Sequence, residues 1–327
     1  ALHEDFRLMQ VAADEPGDEG REDADDEHAT PADAGQHLTN LVRTPKFVNY
    51  LRKARFDQPL EIVSPVQSNV WLEFRAMPYS QQQLLLVIRD VSQLRKLEKM
   101  RKRFVSNVSH ELRTPLTVMR GYVEMLDQDE VDPMIWGKAR NTMLDQSSRM
   151  ENLVNQLLTL AKIESASVED NQETINFSSM VGNLEAEVTG LAKGKQLSFS
   201  FDIAPDIEIK GDREQLRSAC GNLVSNAIKY CGQPGKVHVS LSLIPQGALF
   251  LVKDSGPGIE RKHLQRLTER FYRVDKARSR DTGGAGLGLS IVKHALQHHD
   301  SQLKIKSSVS KGSTFSFIIP RKLFIQQ

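Results

Sequence analysis

Cysteine is almost missing from this chain of 327 residues, which has only Cys220 and Cys231. Two thiols without a second pair make neither a disulfide scaffold nor a zinc site, so we interpret them as small core residues from a reducing compartment. Long apolar runs are also missing, because stretches such as Leu84–Ile88 fall far short of the roughly 18 residues of a membrane span. The chain begins with Ala1 and shows no signal peptide, and we expect it to be a fragment.

Neither sign of charge dominates, since 43 basic and 42 acidic side chains leave a net charge of +1. This balance hides an asymmetry: residues 1–37 carry twelve acidic and two basic side chains, and the remainder has a net charge of +11. Such a polar stretch cannot bury enough apolar surface to offset the entropy of ordering it. We therefore predict a disordered acidic segment over 1–37, acting as a solvated linker or as a regulatory tail.

Residues 38–92 predict a small α+β unit. A short helical pattern near 41–51 precedes strand-like runs at Leu60–Val63, Val70–Met77 and Gln83–Arg89, with a turn at 81–83. Apolar and polar residues alternate in the second run, as in a half-buried strand. The unit has about 55 residues, which is small for independent stability.

Residues 93–165 predict a helical hairpin. Apolar residues recur at steps of three and four from Val105 to Leu126, and the same spacing continues from Met143 to Glu164. The polar segment Asp127–Pro133 separates the two runs. Because these stripes are too extensive for one hairpin to bury, we expect a dimeric four-helix bundle. The alternative is a single hairpin packed on another domain.

A polar linker is predicted over 165–174, and residues 174–322 alternate between strands and helices, which indicates an α/β sandwich. The predicted strands lie near 196–202, 236–244, 247–253, 302–306 and 313–319. The predicted helices lie near 178–193, 212–230 and 286–299. We interpret the pair His298-His299, near the end of the last helix, as surface residues rather than metal ligands.

His110 is the first residue whose side chain could take part in a reaction. Its position in the heptad pattern points it away from the apolar stripe, onto a polar face that also carries Thr114. Glu111 follows it directly. Pro115 then removes a backbone hydrogen bond and favours a kink or a local loosening of the helix.

The run Phe104-Val-Ser-Asn-Val-Ser-His-Glu-Leu-Arg-Thr-Pro-Leu116 resembles the phosphoacceptor box of sensor histidine kinases. The resemblance implies that His110 accepts a phosphoryl group from ATP and that Glu111 takes the proton which the imidazole sheds. It also implies that Thr114 helps to orient the water that dephosphorylates a response regulator. Residues 93–165 would then be the dimerisation and histidine phosphotransfer hairpin.

Two glycine-rich segments belong to a second group of candidate functional residues. Asp254-Ser-Gly-Pro-Gly-Ile259 follows a predicted strand, and Gly284-Ala-Gly-Leu-Gly-Leu289 opens a predicted helix, where backbone N–H groups can approach phosphate oxygens. Upstream, Asn222 and Asn226 lie on one helix face, with Lys229 on much the same side. Amide oxygens suit Mg²⁺, and an ammonium suits phosphate.

Together these segments resemble the N, G1, F and G2 boxes of the ATP-binding domain that histidine kinases share with gyrase, Hsp90 and MutL. The resemblance implies that Asp254 binds the adenine amino group and that Asn226, with Asn222, holds Mg²⁺. Lys229 would contact phosphate and Tyr230 would pack beside the base. The same resemblance assigns the pocket walls, the F box and the lid hinges to Gly256, Gly258, Ile259, Phe271, Arg273, Gly284, Gly286, Leu287 and Gly288.

Two details of this resemblance bear on the site. Residues 275–283 look like a flexible ATP lid. Ser218 departs from the family, which often has Glu, Gln or His one turn before Asn222.

The chain is thus expected to be a multidomain α+β protein with a partial PAS-like domain over 38–92, a dimeric helical-hairpin phosphoacceptor domain and an α/β-sandwich ATP-binding domain. Leu41-Val-Arg-Thr-Pro-Lys-Phe47, Arg89-Asp-Val-Ser92 and residues 271–284 resemble sensor kinases of the phosphate regulon. That likeness implies a homodimer, a DNA-binding response regulator of the phosphate-starvation response and a sensory accessory protein. The fragment would be cytoplasmic and its parent anchored in the bacterial inner membrane.

Three other functions stay open. A water-using ATPase of the gyrase or Hsp90 type conflicts with the His110 box. A non-catalytic nucleotide-binding scaffold conflicts with intact Asn226, Asp254 and His110. A nucleic-acid-binding module could use the basic run at 95–103, but no aromatic residue interleaves that run, which favours a solvated helix face.

Overall fold

The computed structural model describes residues 12–13, 42–53, 55–80, 83–126, 132–166, 171–191, 196–274 and 284–325. These residues belong to two compact units, Ala1–Val105 and Ser106–Gln327. The predicted lid over 275–283 lies outside the described residues, as does the acidic segment 1–37 except for Ala12–Ala13. The predicted disorder of the acidic segment therefore stays a prediction, except at Ala12–Ala13, which form a short strand instead.

The first unit is a four-stranded sheet covered by one helix. Its elements are β1 (Ala12–Ala13), α1 (Pro45–Lys53), β2 (Leu60–Val63), β3 (Trp71–Ser80) and β4 (Gln83–Asp90), with strand order β1-β4-β3-β2. The short β1 pairs in parallel with β4, and the other pairs are antiparallel. The core lies between α1 and the sheet, where the rings of Phe47 and Phe74 are 4.9 Å apart. The three longer strands confirm the sequence prediction, whereas β1 was not predicted.

Helix α2 (Ser92–Leu126) begins in this unit and is tied to strand β3. The backbone N–H of Val91 donates to the carbonyl of Trp71 at 2.8 Å, and the Trp71 N–H donates to the Ser92 hydroxyl at 2.7 Å. The Arg95 guanidinium stacks 3.8 Å from the centre of the Trp71 ring. The first turn of the helix is thereby fixed to the sheet.

The predicted hairpin is formed by α2 and α3 (Pro133–Ser165). Pro115 lies inside α2 without ending it, so the predicted loosening does not interrupt the helix. The Asp132 carboxylate caps α3 by accepting a hydrogen bond from the Met134 N–H at 2.8 Å. Among the described residues, the buried side chains of the two helices are Pro115, Ala139, Leu153, Leu160 and Ile163.

The rest of the second unit is the predicted α/β domain. Its five sheet strands are β6 (Leu197–Ile203), β8 (Gly235–Ile244), β9 (Gly247–Asp254), β10 (Lys304–Ser308) and β11 (Gly312–Pro320). They have the order β10-β11-β9-β8-β6, and β6 pairs in parallel with β8 while the other pairs are antiparallel. The helices are α4 (Phe177–Leu191), α5 (Arg213–Tyr230), the short α6 (Arg261–Leu264) and α7 (Gly288–Gln297).

The core of this domain is closed by side chains from both layers. Helices α4 and α5 contact the sheet, and α7 packs against α5. Phe250 and Phe317 are fully buried with ring centres 5.1 Å apart. Cys220 and Cys231 are free and buried, which confirms their interpretation as core residues.

One sheet was missed. Strands β5 (Glu173–Asn176) and β7 (Glu208–Gly211) pair antiparallel, although 165–174 was predicted to be a linker. Each four-residue strand buries one isoleucine, Ile175 or Ile209, between mostly polar neighbours. One buried apolar residue in four is too few to show the alternation that predicts a strand, so neither strand could be recognised from the sequence.

The interpretation of His299 as a surface residue was wrong. Its side chain is 3% exposed, and its Nε2 accepts a hydrogen bond from the backbone N–H of Asp212 at 3.0 Å. Its Nδ1 donates to the carbonyl of Ala295 at 2.7 Å. Burial lowers the pKa of His299, so the neutral ring joins the end of α7 to the start of α5.

Candidate functional site

The candidate site lies where helix α5, the end of β9 and the start of α7 meet. One face of α5 is apolar and belongs to the core; its buried hydrophobic residues are Leu216, Ala219, Cys220, Leu223, Val224, Ala227 and Ile228. Asn222, Asn226 and Lys229 are half-buried instead. The helical period therefore directs these three polar side chains toward the start of α7 rather than into the core.

Asp254 ends strand β9 and is buried at 6% exposure. Its Oδ1 accepts hydrogen bonds from the backbone N–H groups of Gly256 at 2.8 Å and Ser313 at 3.3 Å. Burial raises the pKa of Asp254, and the two hydrogen bonds oppose that rise. Both of these hydrogen bonds go to Oδ1, and a carboxylate also has a second oxygen that can accept a hydrogen bond from an amino group.

The loop after Asp254 is held by the β10–β11 turn. The Ser310 N–H donates to the carbonyl of Pro257 at 2.7 Å, and the Ile259 N–H donates to the Ser307 hydroxyl at 2.8 Å. Gly258 has a φ of +72°, and a Cβ there would lie 2.0 Å from the Ser308 carbonyl oxygen. Only glycine fits this close approach.

The second glycine-rich segment touches the polar face of α5. A Cβ on Gly284 would lie 2.1 Å from the Lys229 Nζ, and a Cβ on Gly288 would lie 2.6 Å from the Asn222 Oδ1. The turn before α7 thus runs directly beside an ammonium and an amide oxygen. Gly256, on the first segment, lies beside Asp254 and the carbonyl of Tyr230.

The Asn222 amide is oriented by Ser218, the residue that departs from the family. Asn222 Nδ2 donates to the Ser218 carbonyl at 2.8 Å and lies 3.4 Å from its hydroxyl, which leaves Oδ1 facing Gly288. In the described ranges, no three His, Cys, Asp or Glu residues cluster as metal ligands. Two amide oxygens with few other protein ligands fit Mg²⁺, which keeps most of its waters and binds phosphate oxygens.

The F box and the second glycine-rich segment are joined by their backbones. The Phe271 N–H donates to the carbonyl of Gly286 at 2.9 Å, with φ at +61° for Phe271 and +73° for Gly286. The Tyr272 hydroxyl lies 2.6 Å from His263 Nδ1, and the Arg266 guanidinium stacks on the Tyr272 ring. Leu287 is fully buried, and its carbonyl accepts hydrogen bonds from the Ile291 N–H at 3.0 Å and the Ser290 hydroxyl at 2.7 Å.

On the hairpin, His110 and Thr114 are exposed on α2. The Thr114 hydroxyl donates to the carbonyl of His110 at 3.2 Å. Pro115 has no N–H to donate to the Glu111 carbonyl, one turn earlier. The Glu111 carboxylate lies 3.8 Å from the Arg149 guanidinium on α3.

The hairpin and the second glycine-rich segment share a small cavity, lined by Glu111, Arg149, Met150, Asn152, Leu153, Gln156 and Ala285. Burial lowers the pKa of Arg273, while the charges of Tyr230 and Glu111 raise it, which brings the F box into the same neighbourhood. The structure thus places Glu111 beside the turn that precedes α7. Arg149 was missed by the sequence analysis, because nothing in its spacing distinguishes it from other charged helix residues.

Comparisons with known proteins identify two families along the chain. Residues 100–166 match the His Kinase A (phospho-acceptor) domain family. Residues 211–323 match the family described as histidine kinase-, DNA gyrase B-, and HSP90-like ATPase.

No helix among the described residues is long and apolar enough to cross a membrane.

Two similar proteins are phosphate regulon sensor proteins PhoR. The protein of Pseudomonas aeruginosa is 44% identical over 289 residues, which cover 88% of this chain and 65% of that protein. The protein of Haemophilus influenzae is 39% identical, covering 89% of this chain and 68% of that protein. The chain therefore spans about two thirds of the length of these relatives.

A solved structure of histidine kinase ThkA in complex with response regulator protein TrrA has the same fold. It superposes with a TM-score of 0.54 over 89% of this chain and 87% of the ThkA chain, at 21% identity.

Proposed function

The chain belongs to the sensor histidine kinase family, and from that premise we propose that it transfers the γ-phosphoryl group of ATP to His110 and then to an aspartate of a response regulator. The observation that carries this proposal is the cavity shared by Glu111 and Ala285. It brings the residue next to His110 against the turn that the family resemblance assigns to the phosphates.

The nucleotide would bind along the face where α5 meets the two glycine-rich segments. Asp254 would accept a hydrogen bond from the adenine amino group, which is supported by its place at the end of β9 and by the two backbone N–H groups that hold its Oδ1. Tyr230 would pack beside the base, and Lys229, over Gly284, would contact a phosphate. Asn226 and Asn222 would hold Mg²⁺, which when bound supplies positive charge to the phosphate oxygens.

The transfer step needs little covalent chemistry from the protein. A neutral imidazole nitrogen of His110 attacks the γ-phosphorus, the new N–P bond forms, and the bond to the bridging oxygen breaks as ADP leaves. The other ring nitrogen loses its proton to Glu111. Positioning and neutralisation of charge supply most of the rate in phosphoryl transfer.

The proposal includes the reverse activity on the regulator. The Thr114 hydroxyl lies one turn from His110 on the exposed face of α2, where an aspartyl phosphate of a docked regulator could reach it. Thr114 would help to orient the attacking water. The same face would then serve both phosphotransfer to the regulator and its dephosphorylation.

The biological setting is also proposed from the relatives. The similarity to phosphate regulon sensor proteins supports a role in phosphate-starvation signalling, with a DNA-binding response regulator as partner and a sensory accessory protein upstream. Residues 38–92 would be the C-terminal part of a PAS domain. The parent protein would be a homodimer anchored in the inner membrane, with this part in the cytoplasm.

Incubation with γ-labelled ATP and Mg²⁺ tests the kinase proposal. We expect acid-labile, base-stable label on the wild-type chain and on Asn141→Ala, which alters an exposed asparagine of α3. His110→Ala removes the acceptor and Asn226→Ala removes a metal ligand, so neither variant should be labelled. Nucleotide binding measured in parallel should persist in His110→Ala.

Three results would contradict the proposal. Label on His110→Ala would move the acceptor elsewhere. Release of inorganic phosphate without any labelled protein would identify a water-using ATPase. Nucleotide binding with neither label nor phosphate release would identify a non-catalytic scaffold.

A further inference from the structure

The last turn of α3 carries a carboxylate that contacts two basic side chains of the α/β domain. Glu164 Oε1 pairs with the Arg270 guanidinium and lies 3.4 Å from His294 Nε2. About a third of each side chain is exposed: 32% for Glu164, 35% for Arg270 and 29% for His294. Burial lowers the pKa of His294 and the Glu164 charge raises it, so at neutral pH the ring can donate an Nε2–H while Arg270 supplies the charge.

The two partners of Glu164 belong to the elements on either side of residues 275–283. Arg270 directly precedes Phe271, whose N–H is bonded to the Gly286 carbonyl. His294 lies on α7, which begins at Gly288. One hairpin carboxylate therefore contacts both the segment that precedes residues 275–283 and the helix that begins soon after them.

Helix α7 packs against α3, and Glu164 contacts it near its far end. Before the start of α7, Ala285 lines a cavity with Leu153, whereas near its end His294 meets Glu164. Leu153 and Glu164 are eleven residues apart, or about 16 Å along a helix. The buried residues Leu153, Leu160 and Ile163 are spaced by seven and three, so they share one face of α3.

We infer that Glu164 is a positioning residue for phosphoryl transfer: its contacts with Arg270 and His294 hold the α/β domain on α3 so that the turn Gly284–Gly288 lies beside Glu111 and hence near His110. This inference rests on the proposed kinase function. Glu164 is on the hairpin, and its partners in the described part of the chain, Arg270 and His294, are not among the residues assigned to the nucleotide. Its loss should therefore slow transfer to His110 without weakening ATP binding.

The test measures kcat and KM for ATP in autophosphorylation of the full chain. For Glu164→Gln we expect kcat to fall about two- to fivefold, the range typical of partly exposed ion pairs, with KM unchanged. Arg270→Gln should behave in the same way. A chain that carries both Glu164→Arg and Arg270→Glu, which exchanges the two charges, should have a higher kcat than a chain with Glu164→Arg alone or Arg270→Glu alone. Glu151→Gln is the matched control, because it neutralises an exposed carboxylate on the same helix.

Hydrogen exchange supplies a measurement that does not depend on catalysis. With unlabelled ADP present, backbone amides of 264–274 and 288–297 should exchange faster in Glu164→Gln than in the wild type or in Glu151→Gln. If His110 of the wild-type chain never acquires label from ATP, the proposed kinase function is wrong. The hydrogen-exchange result would still show whether Glu164 holds residues 264–274 and 288–297 in place. If wild-type labelling is normal but Glu164→Gln matches Glu151→Gln in kcat and exchange, or raises KM instead, the positioning role is wrong.

Discussion

Large apolar side chains are buried in the α/β domain, whereas many of those in the helical hairpin are exposed. In the α/β domain Phe250, Phe317 and Leu223 are completely buried. In the hairpin Leu116 is 51% exposed, Val123 57% and Leu158 56%. Over 35 and 33 residues, the two long helices bury only five side chains in the described chain, and two of those are an alanine and a proline.

This contrast shows which part of the protein is complete within one chain. Sheet and helices close the α/β core by themselves, whereas the hairpin leaves apolar stripes in contact with water. Monomeric proteins rarely expose large contiguous apolar surface. Histidine kinases dimerise, and we expect a second copy of the chain to cover these stripes.

The largest expected effect breaks the self-contained core. Phe250→Ala should lower the free energy of unfolding by about 3–5 kcal/mol, because the cavity lies beside Phe317 in a closed core. Leu243→Ala, which alters an equally apolar but 54% exposed residue of β8, should change it by less than about 0.5 kcal/mol. Urea denaturation measures both. Equal losses would show that the core is not closed as described.

A smaller effect is expected on the stripes. Val123→Glu should raise the dimer dissociation constant about a hundredfold, since each of two copies loses the roughly 1.5 kcal/mol of a buried valine. Thr117→Glu adds the same charge about 120° around α2 and should leave the dimer intact. Sedimentation equilibrium measures the constant for both variants. A wild-type chain that is monomeric at micromolar concentration, or equal weakening by both variants, would contradict a dimer built on this stripe.

The sequence predicted those features whose signals are local. The heptad spacing predicted both hairpin helices, and the spacing of Asn222, Asn226 and Lys229 predicted a shared helix face. It did not predict contacts made by residues far apart in the chain. Glu164 and Arg270 are separated by 106 residues, and the only local sign was a charged residue in an apolar stripe. His299 was misjudged for the same reason, because its backbone partner Asp212 is 87 residues away.

The smallest expected effect is on the pH dependence of stability. It again separates the two regions, because His299 of the α/β domain is buried whereas His110 of the hairpin is exposed. Burial lowers the pKa of His299 in the folded chain below the value near 6.5 of an unfolded one. The stability it contributes is therefore present above about pH 6.5. It is lost as the pH falls from there toward the folded pKa, at about 1.4 kcal/mol per pH unit in which only the unfolded chain is protonated.

His299→Gln removes this titration while keeping a group that can accept the Asp212 N–H. The variant should be less stable than the wild type at pH 7.5, because its amide fits the contact less well. The difference between the two chains should shrink as the pH falls to 5.5. Thermal unfolding across this range measures the difference, and a gap that stays constant or widens toward low pH would mean that the neutral ring of His299 does not join α7 to α5 as the hydrogen bonds indicate.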